Sequence, residues 1–255
     1  MSFIKNLIAK IRFLDAEWRN LIMINYEVDP EILKPYLPAA TKLDLWEGKA
    51  LVSMVGFMFL NTKVLGIKWP RHINFEEVNL RFYVQHFDGK VWKRGAVFIS
   101  EIVPKHIIPI VANTIYNEHY KAMPMRNSML KLDNGDTAFL YEWKLNNQWN
   151  QLGALVGAEQ QDIEKGSEEE FIFEHYWGYN RLNDSKTVEY QVEHVSWKIR
   201  PVNQFIFKAD IAGLYGKEFE FYLQKEPYSV FFAEGSEVAI RVAGKIIVPP
   251  SILGR

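Results

Sequence analysis

Phe75-Glu76-Glu77-Val78-Asn79-Leu80-Arg81-Phe82-Tyr83-Val84 alternates strictly between apolar and polar side chains from Glu77 onward. Successive side chains of a β-strand point to opposite faces, so Val78, Leu80, Phe82 and Val84 share one face and Glu77, Asn79, Arg81 and Tyr83 the other. A carboxylate, a carboxamide, a guanidinium and a phenol at two-residue steps suit the lining of a polar pocket. Solvent on that face would account for the same pattern. Asp88-Gly89 follows, a favoured hairpin dipeptide, and predicts that Glu76 to Phe87 pairs with Lys90 to Ile102.

Outward from this hairpin the chain reads mostly as strands. Leu21 to Val28 is a predicted strand, and Asp29-Pro30-Glu31 supplies an N-cap, a first-turn proline and an acidic first turn for a short helix ending near Pro38. Leu43 to Trp46 and Lys49 to Leu60 flank Glu47-Gly48 as a hairpin, whose second arm is apolar on both faces and should be central. Leu130 to Leu132 and Thr137 to Leu145 meet at Asn134-Gly135, and Gln148 to Gly157 extends that pair through Asn146-Asn147. Strand patterning returns in Thr187 to Trp197, Gln204 to Ala209, Glu218 to Leu223 and Glu237 to Val242.

Helical spacing is expected in three places. Met1 to Asn20 carries apolar residues at Ile4, Leu7, Ile8, Ile11, Leu14 and Trp18, an amphipathic helix packed on the rest of the chain. Ile110 to Tyr116, continuing toward Tyr120, forms a middle helix. Ser167 with Glu170 makes a capping box ahead of Phe171, Ile172 and Phe173. Many strands with few helices predict an α+β fold, one domain over residues 1–255, built on a large curved or barrel-like, mostly antiparallel sheet with peripheral helices.

Composition narrows the function classes. Lys plus Arg number 30 against 31 Asp plus Glu, so the basic footprint of a nucleic-acid binder is missing. The absence of cysteine excludes disulfides, thiolate zinc sites and a cysteine nucleophile. No apolar run reaches membrane-span length, and a cytoplasmic protein is expected. His72, His86, His106, His119, His175 and His194 share no metal-binding spacing, so no metal and no cofactor is expected. Eight tryptophans and twelve tyrosines suit core or interface alike, leaving a homo-oligomer open.

Several short motifs in order resemble the YqjF-like family, domain of unknown function 2071, of the acetoacetate decarboxylase-like fold. They are Ala16-Glu17-Trp18-Arg19, Leu37-Pro38 with Leu43-Asp44-Leu45-Trp46-Glu47-Gly48, the Phe75 to Val84 strand, Gly95-Ala96-Val97-Phe98, the segment through Tyr120, Glu174-His175-Tyr176, and His194 with Trp197. The resemblance spans nearly the whole chain and implies a barrel-like sheet around an internal cavity. Acetoacetate decarboxylases use a lysine that forms a Schiff base, beside a cationic neighbour. The comparable segment here, Glu118-His119-Tyr120-Lys121-Ala122-Met123-Pro124, has a single lysine. Tyr120 falls at the nucleophile's place and Lys121 at its neighbour's, with a one-residue shift making Lys121 the nucleophile.

With a cavity inside the sheet, Arg81 is suited to grip a carboxylate through two parallel hydrogen bonds, and Glu77 to accept a proton or hold Arg81. Residues four apart on a strand lie about 13 Å apart at Cα, so a direct Glu77 to Arg81 contact needs curvature or leaning side chains. Asn79 and Tyr83 complete the face, and Tyr116 and Tyr120 share one side of the middle helix as further ligand contacts. His194 titrates in a range suited to proton transfer, and on a strand it would face away from Trp197. Catalytic candidates are therefore Lys121, His194 and Glu77; ligand-binding candidates are Glu77, Asn79, Arg81, Tyr83, Tyr116 and Tyr120. Three functions fit: binding of a small carboxylate or carbonyl compound with its reaction unassigned, a lysine-dependent decarboxylase, hydratase or aldolase of a keto acid, or a noncatalytic scaffold or regulatory module.

Overall fold

The computed structural model describes residues 11–104 and 119–249. Strand β4 (Phe75–Phe87) lies between β3 (Ala50–Val64) and β5 (Trp92–Val103), antiparallel to both. The β4–β5 turn falls at Asp88-Gly89 as expected, closing on the Phe87 to Trp92 pair. β1 (Arg12–Val28) pairs with β3 and with β15 (Ser229–Arg241). On the other side, β11 (Trp177–Asn183) runs parallel to β5 and antiparallel to β12 (Lys186–Glu193). β12 then meets β15 through Val192 to Ile240 and Glu193 to Ala239, so seven strands form a closed ring. Closure leaves an interior that must be filled by side chains or by a ligand.

A second sheet of four antiparallel strands, β7 (Met125–Lys131), β8 (Thr137–Leu145), β9 (Gln148–Val156) and β14 (Val202–Lys208), covers one outer side of the ring. Val78, Leu80, Phe82 and Val84 pack in a common core with Phe139, Tyr141, Trp143, Leu152 and Val156 of that sheet. Gly56 on β3 allows the close approach: a Cβ there would lie 2.5 Å from Leu152 Cδ2 and 2.8 Å from Tyr141 Cδ2. The apolar face of β4 thus points out of the ring into this core, and its polar face points inward.

Helix α1 (Glu168–Phe173) starts at Ser167, whose side chain accepts from Glu170 N, as the capping box predicts. Its Phe171, Ile172 and Phe173 are all buried, among Met23, Leu51 and Tyr83 of the inward faces. Two further helices, α2 (Ile211–Leu214) and α3 (Lys217–Leu223), lie on the outer core. No helix among the described residues is long and apolar enough to cross a membrane.

Four local expectations are corrected. Residues 12–20 belong to β1, not to an amphipathic helix, and residues 1–10 lie outside the described residues. Register shifts at Asp15/Glu17 and Arg19/Ile22, with Asn20 at φ 57, break the alternation and leave apolar residues three to four apart. Glu218 to Leu223 is within helix α3: Phe219 and Leu223, four apart, are buried, and Phe221 is 65% exposed. Leu43 pairs with Val84 of β4, and the Glu47-Gly48 turn carries only the Trp46 to Lys49 bridge. The middle helix lies outside the described residues up to 118, and Tyr120 begins strand β6 (Tyr120–Ala122), parallel to β5.

Candidate functional site

The ring encloses a cavity of about 360 Å³. Glu77, Asn79 and Arg81 of β4 line it, as the alternation of that strand requires. β5 adds Glu101, which pairs with Asn79 across the sheet, and β6 adds Tyr120, which pairs with Glu101. A register shift between Leu80 and Arg81 doubles β5 against β4 at Ile99, and so puts Phe98 and Glu101, three apart, on the inner face.

Glu77 is 2% exposed and accepts two hydrogen bonds, from Asn79 Nδ2 at 2.8 Å and from the Tyr120 hydroxyl at 2.9 Å. Burial raises its pKa to about 7, against the lowering by those two donors and by the charge of Arg81. The carboxyl therefore keeps its proton to a higher pH than an ordinary carboxylate, toward the range where a group can both give and take a proton.

Arg81 has weaker commitments. Its Nη2 makes two long contacts, 3.4 Å to Met23 Sδ and 3.4 Å to the Ile172 carbonyl, and its buried Nε has no partner. No carboxylate among the described residues forms an ion pair with it. The charge of Arg81 acts on Glu77 without an ion pair between them, and an anion supplied from outside would give the guanidinium the direct partner it lacks among the described residues.

His175 joins this end of the cavity. It is buried, tilted against the Tyr83 ring at 4.5 Å, and its Nε2 lies 3.2 Å from Asp44 Oδ2, which Arg94 Nε also holds at 2.6 Å. Burial depresses the imidazole to about 4, so near pH 7 it is a neutral ring donating from Nε2 to Asp44. Burial alone would raise Asp44, and the hydrogen bonds from His175 and Arg94 outweigh it and hold that carboxylate below its usual range. With Nε2 committed, Nδ1 is an acceptor, and it has no partner among the described residues.

The other predicted residues sit elsewhere. Tyr83 is not in the cavity wall: its hydroxyl lies 2.6 Å from Ser53 Oγ in a buried chain that runs on through Asn25 and Ser229 to Glu168. Lys121 leaves β6 on the opposite side from Tyr120 and donates to the Leu214 carbonyl at 2.9 Å. Burial lowers its pKa, as in nucleophilic lysines, yet the amine is not in the cavity. His194 lies in an irregular segment after β12 and stacks on Trp197 at 4.2 Å, so the two do not face apart, and neither lines the cavity. Tyr116 lies outside the described residues.

Glu101 and His175 were absent from the sequence-derived site. Strict alternation along β5 hides the first, and the second entered only through the Glu174-His175-Tyr176 motif, with nothing local to give it a role; the neighbouring Asp44, held by Arg94, is 131 positions away. The rest of the wall is mostly aromatic and aliphatic, with Trp18, Phe57, Phe59, Phe75 and Trp177 among its members and Thr62 and His72 as polar exceptions. Among the described residues no cluster of three or more His, Asp or Glu could hold a metal ion, and no lysine lines the cavity.

A family model described as an uncharacterized conserved protein, DUF2071, matches residues 15–237. The Uncharacterized protein YqjF of Bacillus subtilis is 29% identical over 120 residues, 47% of this chain and 46% of that protein, so the match spans about half the length of the curated relative. The acetoacetate decarboxylase of Legionella pneumophila superposes with a TM-score of 0.60 at 14% identity, over 93% of this chain and 87% of the other. The enduracididine biosynthesis enzyme MppR, solved in complex with pyruvate, gives 0.65 at 12% identity over 94% and 91%. An acetoacetate decarboxylase-like enzyme of Sphingomonas wittichii gives 0.63 at 12% over 93% and 94%. At these identities the likeness is one of fold.

Proposed function

The chain belongs to the DUF2071 family, has an acetoacetate decarboxylase-like fold, and from the geometry of its cavity we propose that it binds a carboxylate or carbonyl compound inside the barrel. The single observation that carries this reading is Arg81, a guanidinium in the cavity wall that makes no ion pair with a carboxylate among the described residues. Two parallel N–H donors from Arg81 would take the ligand carboxylate. Glu77, held by Asn79 and Tyr120, then stands ready to donate a proton to a carbonyl oxygen or to receive one. The pyruvate held by MppR on the same fold supports a ligand of this type.

Imine chemistry is the weaker reading, because Lys121 points away from the cavity. A scaffold role would pair the charge of Arg81 with a carboxylate, and its contacts are instead the Ile172 carbonyl, Met23 Sδ and the Tyr83 ring at 5.5 Å. Thermal-shift measurements against a panel of small organic acids test the proposal. A ligand that binds the folded state alone raises the melting temperature in proportion to the logarithm of its concentration over Kd. Carboxylates should raise it in the native protein and not in Arg81→Ala; equal responses in both would refute the assignment.

A further inference from the structure

Arg81 lies six residues along β4 from Phe75, about 20 Å of strand. Phe75 opens β4 after the β3–β4 connection, where Leu65 and Trp69 line the cavity and are 60% and 49% exposed. The cavity therefore runs from an apolar mouth to a cationic deep end, where Arg81 meets the Ile172 carbonyl of helix α1. Along the way the wall is a continuous aromatic cluster. Trp18 meets Phe57 and Phe59 edge-on at 5.4 and 5.8 Å, and Phe59 stacks on Phe75 at 4.7 Å. Of the polar groups between, both oxygens of Glu77 are taken, by Asn79 and Tyr120, and Asn79 Oδ1, Thr62 Oγ1 and the Trp18 indole nitrogen are buried without a partner among the described residues.

Volume sets the size of the occupant. A space of about 360 Å³ has room for about a dozen heavy atoms at roughly 30 Å³ each. A molecule as small as pyruvate would fill about half of it and leave the aromatic wall bare. Large apolar side chains exposed at a cavity mouth mark a surface that meets apolar matter. Building on the carboxylate reading above, we infer that the ligand is an amphipathic monocarboxylate, a medium-chain acid of about eight to ten carbons, with its head on Arg81 and its tail along the Trp18–Phe57–Phe59–Phe75 wall toward Leu65 and Trp69.

Isothermal titration of the full chain with acetate, butyrate, hexanoate, octanoate and decanoate tests this, with pyruvate and 1-octanol as controls. Kd should fall about fourfold per added methylene until the tail fills the cavity. Octanoate should bind more tightly than 1-octanol in the native protein, and Arg81→Ala should abolish that preference while keeping the dependence on chain length. Binding of pyruvate or acetate that weakens as the chain grows would overturn this inference and leave the carboxylate reading standing. Equal affinity for octanoate and 1-octanol in the native protein would overturn the carboxylate reading, and this inference with it. The comparison of the two C8 ligands on the native chain decides the matter even where Arg81→Ala does not fold.

Discussion

Tyr120 reaches across β5 from β6 and donates its hydroxyl to Glu77 on β4 at 2.9 Å, so a neighbour two strands away holds a cavity carboxyl whose pKa burial raises to about 7. Burial is the larger influence and raises Glu77 from an ordinary 4.5 to about 7. Below pH 4.5 the group is protonated in both folded and unfolded chains. As pH rises, the unfolded chain releases its proton first, and the folded state loses stability until pH passes about 7. The loss is on the order of 3 kcal/mol. Glu77→Gln, which cannot ionise, should gain on the native protein by about that much between pH 4.5 and 8 in urea unfolding. A difference that stays constant with pH would show that Glu77 ionises normally.

His175 runs the other way. Its pKa falls from an ordinary 6.5 to about 4 because burial disfavours the imidazolium. The stability it contributes is complete above pH 6.5 and is lost as pH falls toward 4, where the unfolded chain binds the proton first. The two windows overlap with opposite slopes, so their contributions largely cancel in the native protein between pH 4.5 and 6.5. His175→Gln retains an amide donor for Asp44 and removes the titration. It should therefore become relatively more stable than the native chain as pH drops from 7 to 4.5, leaving the Glu77 slope exposed. Urea midpoints of the native chain and both single variants at four pH values would reveal the compensation; parallel curves would exclude it.

The β4 hairpin was legible from local chemistry, because its strict alternation and Asp88-Gly89 turn depend on adjacent residues only. Where its polar face leads was not. That depends on Val192 and Glu193 of β12 meeting Ile240 and Ala239 of β15, a pairing nearly 50 residues apart that closes the ring. Bulges account for two of the remaining misreadings. In β1 they space apolar residues as a helix would, and in β5 they turn Glu101 inward against the alternation. Tyr83 obeys the alternation of Glu77, Asn79 and Arg81, yet it lies at the end where Phe171 of helix α1 fills the barrel, and its hydroxyl goes to Ser53. Side-chain direction was predictable there, and the plug was not.

Gly56 is where the ring and the second sheet come closest. Its missing Cβ would meet Leu152 Cδ2 at 2.5 Å and Tyr141 Cδ2 at 2.8 Å. Tyr141 is fixed by its own hydrogen bond to the Asn20 carbonyl, so its ring has little room to yield. Gly56→Ala should destabilise the protein by about 1–3 kcal/mol, the usual cost of overpacking a core. Chemical denaturation measures it directly. An unchanged midpoint would mean that the two sheets can separate without cost.

Lys121 supplies the last test, because it is the described lysine nearest in sequence to Tyr120 and the family resemblance put it beside the nucleophile's place. On a strand, neighbours face opposite ways, so the choice of Tyr120 for the cavity sends Lys121 to the other side. There its amine donates to the Leu214 carbonyl near the end of helix α2. Burial lowers its pKa, which alone would favour attack on a carbonyl, but a nucleophile must also reach within about 3–3.5 Å of its target. A ligand on Arg81 is on the far face of the sheet from this amine. Borohydride trapping with a panel of β-keto acids, followed by mass mapping, should therefore give no adduct at Lys121. A covalent adduct at that position would mean that β6 can turn over and present the amine to the cavity, and the lysine-dependent reaction would become the better reading of this barrel.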